Sequence, residues 1–165
     1  HDNAEFLDKI LTENPDVEFV QLQFNYVDYE DDRVQSRLCY EVCVKHGKPV
    51  FVMEPVKGGH LVNMPDPVAK IVDDLGGGSR ASYAIRFAAS FPNVVMVLSG
   101  MGNMDMMNDN LSFMTDFKPL DEKESDDFLG IAVQLKTPEA EPEERVELLI
   151  VNSPLTLSCN LPSLP

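Results

Sequence analysis

Pro49-Val50-Phe51-Val52-Met53 runs without a polar side chain into Glu54-Pro55-Val56-Lys57-Gly58-Gly59, and this stretch decides the fold class. A strand that is apolar at every position after its proline is suited to burial on both faces, the pattern of a parallel sheet. Upstream, Val17 to Leu22 is a second short, mostly apolar run; downstream, Asn93 to Leu98 is a third. Runs this short, bounded by turn residues, suit buried strands.

Helical patterns fill the spaces between them. From Asn3 to Glu13, Phe6, Leu7, Ile10 and Leu11 share one face, with Asn3 as the cap and Asn14-Pro15 as the stop. A second helix is expected to open at Asp31 or Asp32, to bury Val34, Leu38, Cys39 and Val42, and to end at Lys45-His46-Gly47. Pro65 to Leu75 predicts a third, broken by Gly76-Gly77-Gly78. A fourth runs from Ser79 or Arg80 to Phe91, where Ala81, Ala84, Ala88 and Ala89 permit close approach to a neighbour, and a fifth from about Asn103 to Met114.

The order α-β-α-β-α-α-β-α implies right-handed βαβ units, hence an α/β fold with a parallel sheet. An open doubly wound sheet and a (β/α)8 barrel both satisfy it. A dinucleotide site of the doubly wound kind needs G-x-G-x-x-G between strand and helix. Gly58-Gly59 and Gly76 to Gly78 do not have that spacing, which favours the barrel.

After Phe117 the pattern changes. Lys118-Pro119-Leu120-Asp121 starts another helix, with Asp121 and Glu124 placed as a capping box. From Lys136 periodicity fades into a divergent acidic tail, rich in Pro and Glu over Thr137 to Glu144 and in Ser, Pro, Leu and Asn over Asn152 to Pro165. Such composition buries little surface, so loose packing is expected there, with Val146 to Val151 as a single stray element. The expected organisation is barrel strands and helices over 1–117, then a terminal helix and tail over 118–165.

Bulk properties bound the function. The 165 residues carry 28 acidic and 13 basic side chains, a formal charge of -15, which disfavours nucleic acid as a partner. No apolar run is long enough to span a bilayer, and no basic-then-apolar leader opens the chain, so a cytoplasmic location is expected. A chain opening on His1 is expected to be a piece of something longer. The cysteines are Cys39, Cys43 and Cys159; the first two lie one helical turn apart, and buried packing is a better reading of them than a metal site with His46.

In a parallel barrel the chemistry sits at the carboxyl ends of the strands, here Gln21 to Tyr26, Met53 to His60 and Ser99 to Asn103. Val20-Gln21-Leu22-Gln23-Phe24-Asn25-Tyr26, Met53-Glu54-Pro55-Val56-Lys57-Gly58-Gly59, and Leu98-Ser99-Gly100 with Asp109-Asn110-Leu111 stand in collinear order over about residues 1 to 120. Together they resemble the last strands of the aldo/keto reductases, above all bacterial members that usually add a ferredoxin-like 4Fe-4S tail. The fold expected from the likeness is the carboxyl-terminal half of a TIM barrel.

The resemblance implies hydride transfer between a nicotinamide cofactor, NADP or NAD, and a small carbonyl substrate. By that likeness Gln21 bonds the nicotinamide carboxamide and Met53 lies against the ring. Pro55, Val56, Lys57 and Gly59 flank the pyrophosphate, and Gly100, Met101 and Asn103 face the adenosine phosphate end. Asp109 and Asn110 reach the adenine. Where the family often has an arginine for a 2′-phosphate, this sequence has Met106 beside Asp105, which implies no strong NADPH preference. The family's proton donor, a tyrosine supported by lysine, aspartate and histidine, belongs to the first four strands, and Tyr26, Lys57 and His60 are not those residues. The likeness therefore assigns no catalytic residue here and implies no turnover by these residues alone. A 4Fe-4S cluster is not supported, since Cys159 stands alone where four cysteines are needed. Two alternatives remain: a non-catalytic half-barrel that associates with another chain through exposed strand edges, and a different barrel enzyme sharing only the fold.

Overall fold

A computed structural model describes residues 2–136. The acidic tail, the element expected at Val146 to Val151, and Cys159 lie outside the described residues. The elements are α1 (Ala4–Glu13), β1 (Val20–Gln23), α2 (Ser36–Lys45), β2 (Val50–Met53), a single 3-10 turn (Lys57–Gly59), α3 (Asp66–Asp74), α4 (Arg80–Ala89), β3 (Val94–Val97), α5 (Met104–Met114) and α6 (Glu122–Lys136). The three strands form one sheet in the order β1-β2-β3, both pairs parallel. Adjacency in sequence order, with a helical crossover at each step, is consistent with part of a barrel.

Register puts Val20 beside Val50 and Leu22 beside Val52, all on the helix-covered face. Val50 and Val52 are fully buried there, and each such side chain contributes roughly 1.5–3 kcal/mol. The expectation that β2 is buried on both faces does not hold among the described residues, since Phe51 and Met53 are only half-buried. The helices cover one face; on the other, Phe19 stacks on Phe51 with ring centroids 4.3 Å apart, and Met96 stays 47% exposed. β3 carries a register shift: Val94 opposes Val50 and Met96 opposes Phe51, which leaves Val95 bulged and 60% exposed.

The helix-side core is aromatic. Phe24 meets Phe91 edge-on at 4.8 Å and lies 5.7 Å from Tyr40, while Tyr26 lies 5.2 Å and Tyr83 5.1 Å from Phe128. Tilted and edge-on aromatic pairs are worth about 0.5–1.5 kcal/mol each beyond their buried area. Phe128, Ile131 and Ala132 thus bring α6 into the same core as β1 and α4. Ala84 and Ala88 are fully buried, as close approach requires.

Local signals explain most helix ends. Asn3 and Asn103 accept hydrogen bonds from Phe6 N and Met106 N, capping α1 and α5, and Ser79 accepts from Ser82 N to cap α4. Asp121 and Glu124 form the reciprocal capping box, with Glu124 N donating to Asp121 Oδ1 at 2.8 Å and Asp121 N to Glu124 Oε2 at 3.0 Å.

Three expectations are corrected. The first strand begins at Val20, not Val17, because Val17 N closes a turn on Asn14 O and the pairing with β2 starts only at Val20, whose N donates to Pro49 O. The second helix begins at Ser36. Asp31 does accept from Arg33 N and Val34 N, but that turn ends at Gln35, whose φ of 55° is left-handed and breaks any helix through it. With the helix restarted, Ser36, Cys39 and Cys43 face inward and Leu38 is 40% exposed rather than buried. Phe6 likewise sits outside the inner face of α1, at 47% exposure, while Leu11 is buried.

Candidate functional site

The exits of the three strands lie at one end of the sheet, and residues around them line two hollows with no lining residue in common. On the uncovered face, Gln21 Nε2 donates to Met53 Sδ at 3.2 Å. Both line a hollow of about 330 Å3 that also takes in Phe6 and Ile10 of α1 and, from the helix-covered face, Val20 and Leu22. An amide and a thioether side by side at parallel strand ends offer one polar and one polarisable contact to a flat ring.

The loop after β2 is held by a polar network at its base. Asp28 is buried, and its carboxylate accepts from Lys57 Nζ at 2.5 Å, Gln23 Nε2 at 2.7 Å and Asn25 Nδ2 at 2.8 Å. Asn25, also fully buried, donates from Nδ2 to Glu54 O at 3.0 Å, and its Oδ1 accepts from Val27 N and Asp28 N. Burial alone raises the Asp28 carboxyl's affinity for a proton, but the bonds from Lys57, Gln23 and Asn25 more than reverse this and hold it below the usual carboxylate range. Glu54 and Lys57 both have positive φ, 57° and 50°, conformations that cost a residue with a side chain about 1–2 kcal/mol. Gly58 and Gly59 follow at φ 61° and 91° without that cost. The Lys57 ammonium, expected beside a pyrophosphate, is thus turned onto Asp28.

Above this base lies a cleft of about 1030 Å3, at the upper end of the roughly 300–1,000 Å3 usual for small-molecule sites. Pro55, Val56 and Gly59 line one wall; Gly100, Met101, Asp109 and Asn110 line the other. These sequence-expected residues are therefore brought together. Gln21 and Met53 belong to the neighbouring hollow, and neither Lys57 nor Asn103 lines either space. Asn103 acts instead as the α5 cap.

Hydrogen bonds fix the walls. Ser79 Oγ donates to Asp109 Oδ2 at 2.6 Å, and Asn110 Nδ2 donates to Ser99 Oγ at 2.9 Å. Arg80 and Asp73, which the sequence did not single out, also line the cleft. Arg80 grips Asp73 through Nε (2.8 Å) and Nη2 (2.6 Å), and its Nη1 donates to Val62 O at 3.1 Å. The cleft lining thus presents Glu54, Asp73, Asp105 and Asp109 against one already paired cation, Arg80. Backbone amides, not free cations, are what it offers an anion.

The sequence's four tyrosines are all accounted for in packing. Tyr26 is buried and its phenol is pushed well above the ordinary value by burial. Tyr29 is raised to about 12, first by burial, and packs on Phe24 and Phe87. Tyr40 Oη accepts from Asn93 N, and Tyr83 Oη from Gly77 N at 2.7 Å. None lines the cleft. Cys39 and Cys43 are buried, Cys43 raised to about 12 by burial, and His46 Nε2 meets Asp8 Oδ1 at 2.6 Å. No group of three or more metal-ligating side chains is assembled among the described residues, and no described helix is long and apolar enough to cross a membrane.

Among curated proteins none matches the sequence. The sequence pattern described as "Aldo/keto reductase family" matches residues 1–131, a span that runs from α1 into α6 and takes in both walls of the cleft. The chain belongs to the aldo/keto reductase family.

Proposed function

We propose that these residues form the cofactor-facing part of a nicotinamide-dependent carbonyl oxidoreductase and are inactive without a further segment carrying the proton donor. The family folds as a TIM barrel, uses NAD(P)H and acts on carbonyl compounds, and the three parallel strands are consistent with part of that barrel. The observation that carries the reading is the cleft itself: residues from the exits of β2 and β3, distant in sequence, line one space of dinucleotide scale.

The cofactor, when bound, supplies the hydride. Gln21 and Met53 hold the ring end, the left-handed loop at Glu54 to Gly59 presents its backbone to the phosphates, and Asp109 and Asn110 close on the adenine end. Asp109 and Asn110 are already set by Ser79 and Ser99, so little ordering remains to be done on binding. General acid catalysis needs a titratable group within reach of the carbonyl oxygen. The packed and bonded tyrosines do not provide it, so the tyrosine of this chemistry comes from outside these residues. Taken together, the motifs of the three strand exits carry a likeness to bacterial members that usually add a ferredoxin-like iron–sulfur tail. A cluster of its own needs four cysteines, and the sequence has three.

A second reading, a non-catalytic half-barrel completed by another chain, draws on the uncovered face that carries Phe19, Phe51 and Met96. Amide NMR of the 165-residue chain during titration with NADH tests the main reading. Shifts confined to residues such as Gly59, Gly100 and Asn110, with affinity weaker than micromolar and no turnover of small aldehydes, are expected. Shifts elsewhere, micromolar affinity or measurable turnover overturn it.

A further inference from the structure

Glu54 and Lys57, one turn apart, both hold left-handed backbones that neither side chain favours, and both are tied to the same buried group. Lys57 Nζ reaches Asp28 Oδ1 directly; Glu54 O is held by Asn25 Nδ2, which also donates to Asp28 Oδ2. Glu54 O further accepts from Lys57 N at 3.1 Å, closing the turn on itself. Strain of this kind persists only where surrounding contacts over-determine it. Besides the turn's own backbone bonds, the side-chain contacts that do so, from Lys57 and through Asn25, converge on one carboxylate from a different strand exit.

We propose that Asp28 is the positioning residue of the loop 54–59: its buried carboxylate, through Lys57 and Asn25, keeps that loop in the conformation that presents it to the cleft. Asp28 does not line the cleft and does not touch what binds there. It acts through Lys57, whose side chain is 36% exposed while that of Asp28 is 2% exposed. The anchored end of the pair is therefore Asp28, and the loop is what moves when the pair is broken. Gln23 donates to Oδ2 from β1, so the carboxylate has one hold independent of the loop, and Asn25, which donates to the same oxygen, links it to Glu54 O. Ser36 Oγ donates to Gln23 O at 2.8 Å and extends the anchor to α2. That the positioned loop serves a cofactor rests on the function proposed above; that Asp28 positions it does not.

Hydrogen exchange of the full 165-residue chain, without cofactor, tests this. Asp28→Asn keeps the shape and removes the charge that holds Lys57. Exchange in 54–63 is expected to accelerate about tenfold or more, the effect of losing one charge-assisted hydrogen bond, while α4 and β1 keep their rates. Lys57→Met removes the same contact from the exposed side and is expected to give the same local pattern, so the test stands even if Asp28→Asn does not fold. Lys57→Arg, which restores a donor, is expected to return the loop to near its original rates. Unchanged exchange in the loop, or an even rise across α4 and β1, overturns the proposal. Titration of these variants with NADH is a separate measurement: a locally loosened loop with no cofactor response in any form of the chain refutes the cofactor reading and leaves the positioning role intact.

Discussion

Ser79 Oγ donates to Asp109 Oδ2 over 2.6 Å while the same oxygen accepts from Ser82 N over 2.9 Å, so one hydroxyl both starts α4 and clasps it to α5 across the cleft. Replacing it removes a helix cap and frees a carboxylate beside the site. Ser79→Ala is expected to destabilise the chain by about 1–2 kcal/mol, measured as the shift of the urea midpoint at constant slope. A neutral result would mean that α5 is fixed without the clasp.

The charge of the cleft bears on cofactor choice. Glu54, Asp73, Asp105 and Asp109 line it, and Arg80 is already gripped by Asp73. An additional 2′-phosphate meets carboxylates and no free cation of the lining. Parallel titrations with NADH and NADPH are expected to show no preference for NADPH. Asp105→Arg is expected to tilt the ratio toward NADPH by about tenfold, the scale of one charge-assisted bond. A strong NADPH preference in the unaltered chain would contradict this account of the lining.

Acid should loosen the network below the loop. The Asp28 carboxyl holds its proton less tightly when folded than the ordinary value of about 3.9, because the Lys57, Gln23 and Asn25 bonds outweigh burial. A group so depressed stabilises the fold fully above its unfolded pKa and loses that contribution as pH falls through the folded one. Asp31, lowered mainly by its bond from Arg33, acts in the same direction. Urea midpoints are therefore expected to be level at pH 5 to 7 and to fall below about pH 4. Asp28→Asn should lower the plateau and flatten the acid limb.

Phe128 tests whether α6 is integral to the core. Its ring is fully buried between Tyr26 and Tyr83. Phe128→Ala is expected to cost about 3–5 kcal/mol, by transfer loss and the cavity left behind. A cost under about 1 kcal/mol would show that α6 rests on the surface.

What was legible in the sequence was whatever depends on neighbours along the chain. The Asn3 cap, the Asp121–Glu124 box and the order of strands and helices follow from local spacing, and the structure keeps them. Failure came where a local signal had two outcomes. Asp31 caps a turn as readily as a helix, and only the left-handed Gln35 decides which. Leu38 and Phe6 fit an apolar face by period, but which face meets the core depends on where each helix docks. Of the residues picked out by the family motifs, Pro55, Val56 and Gly59 share one cleft with Gly100, Met101, Asp109 and Asn110, while Lys57 and Asn103 stand outside it. The Asp28–Lys57 and Asp73–Arg80 pairs were invisible, because no spacing rule reports that residues 28 and 57 meet once two strands align.

The bulge at Val95 gives the sheet two unlike borders. β2 is paired on both sides, so only β1 and β3 present open borders among the described residues. A bulged strand bends and twists out of line and makes a poor template for a further strand, whereas β1 pairs residue for residue without a break. Strand addition therefore meets a regular border at β1 and a bent one at β3, a difference that closing such a sheet into a barrel has to absorb.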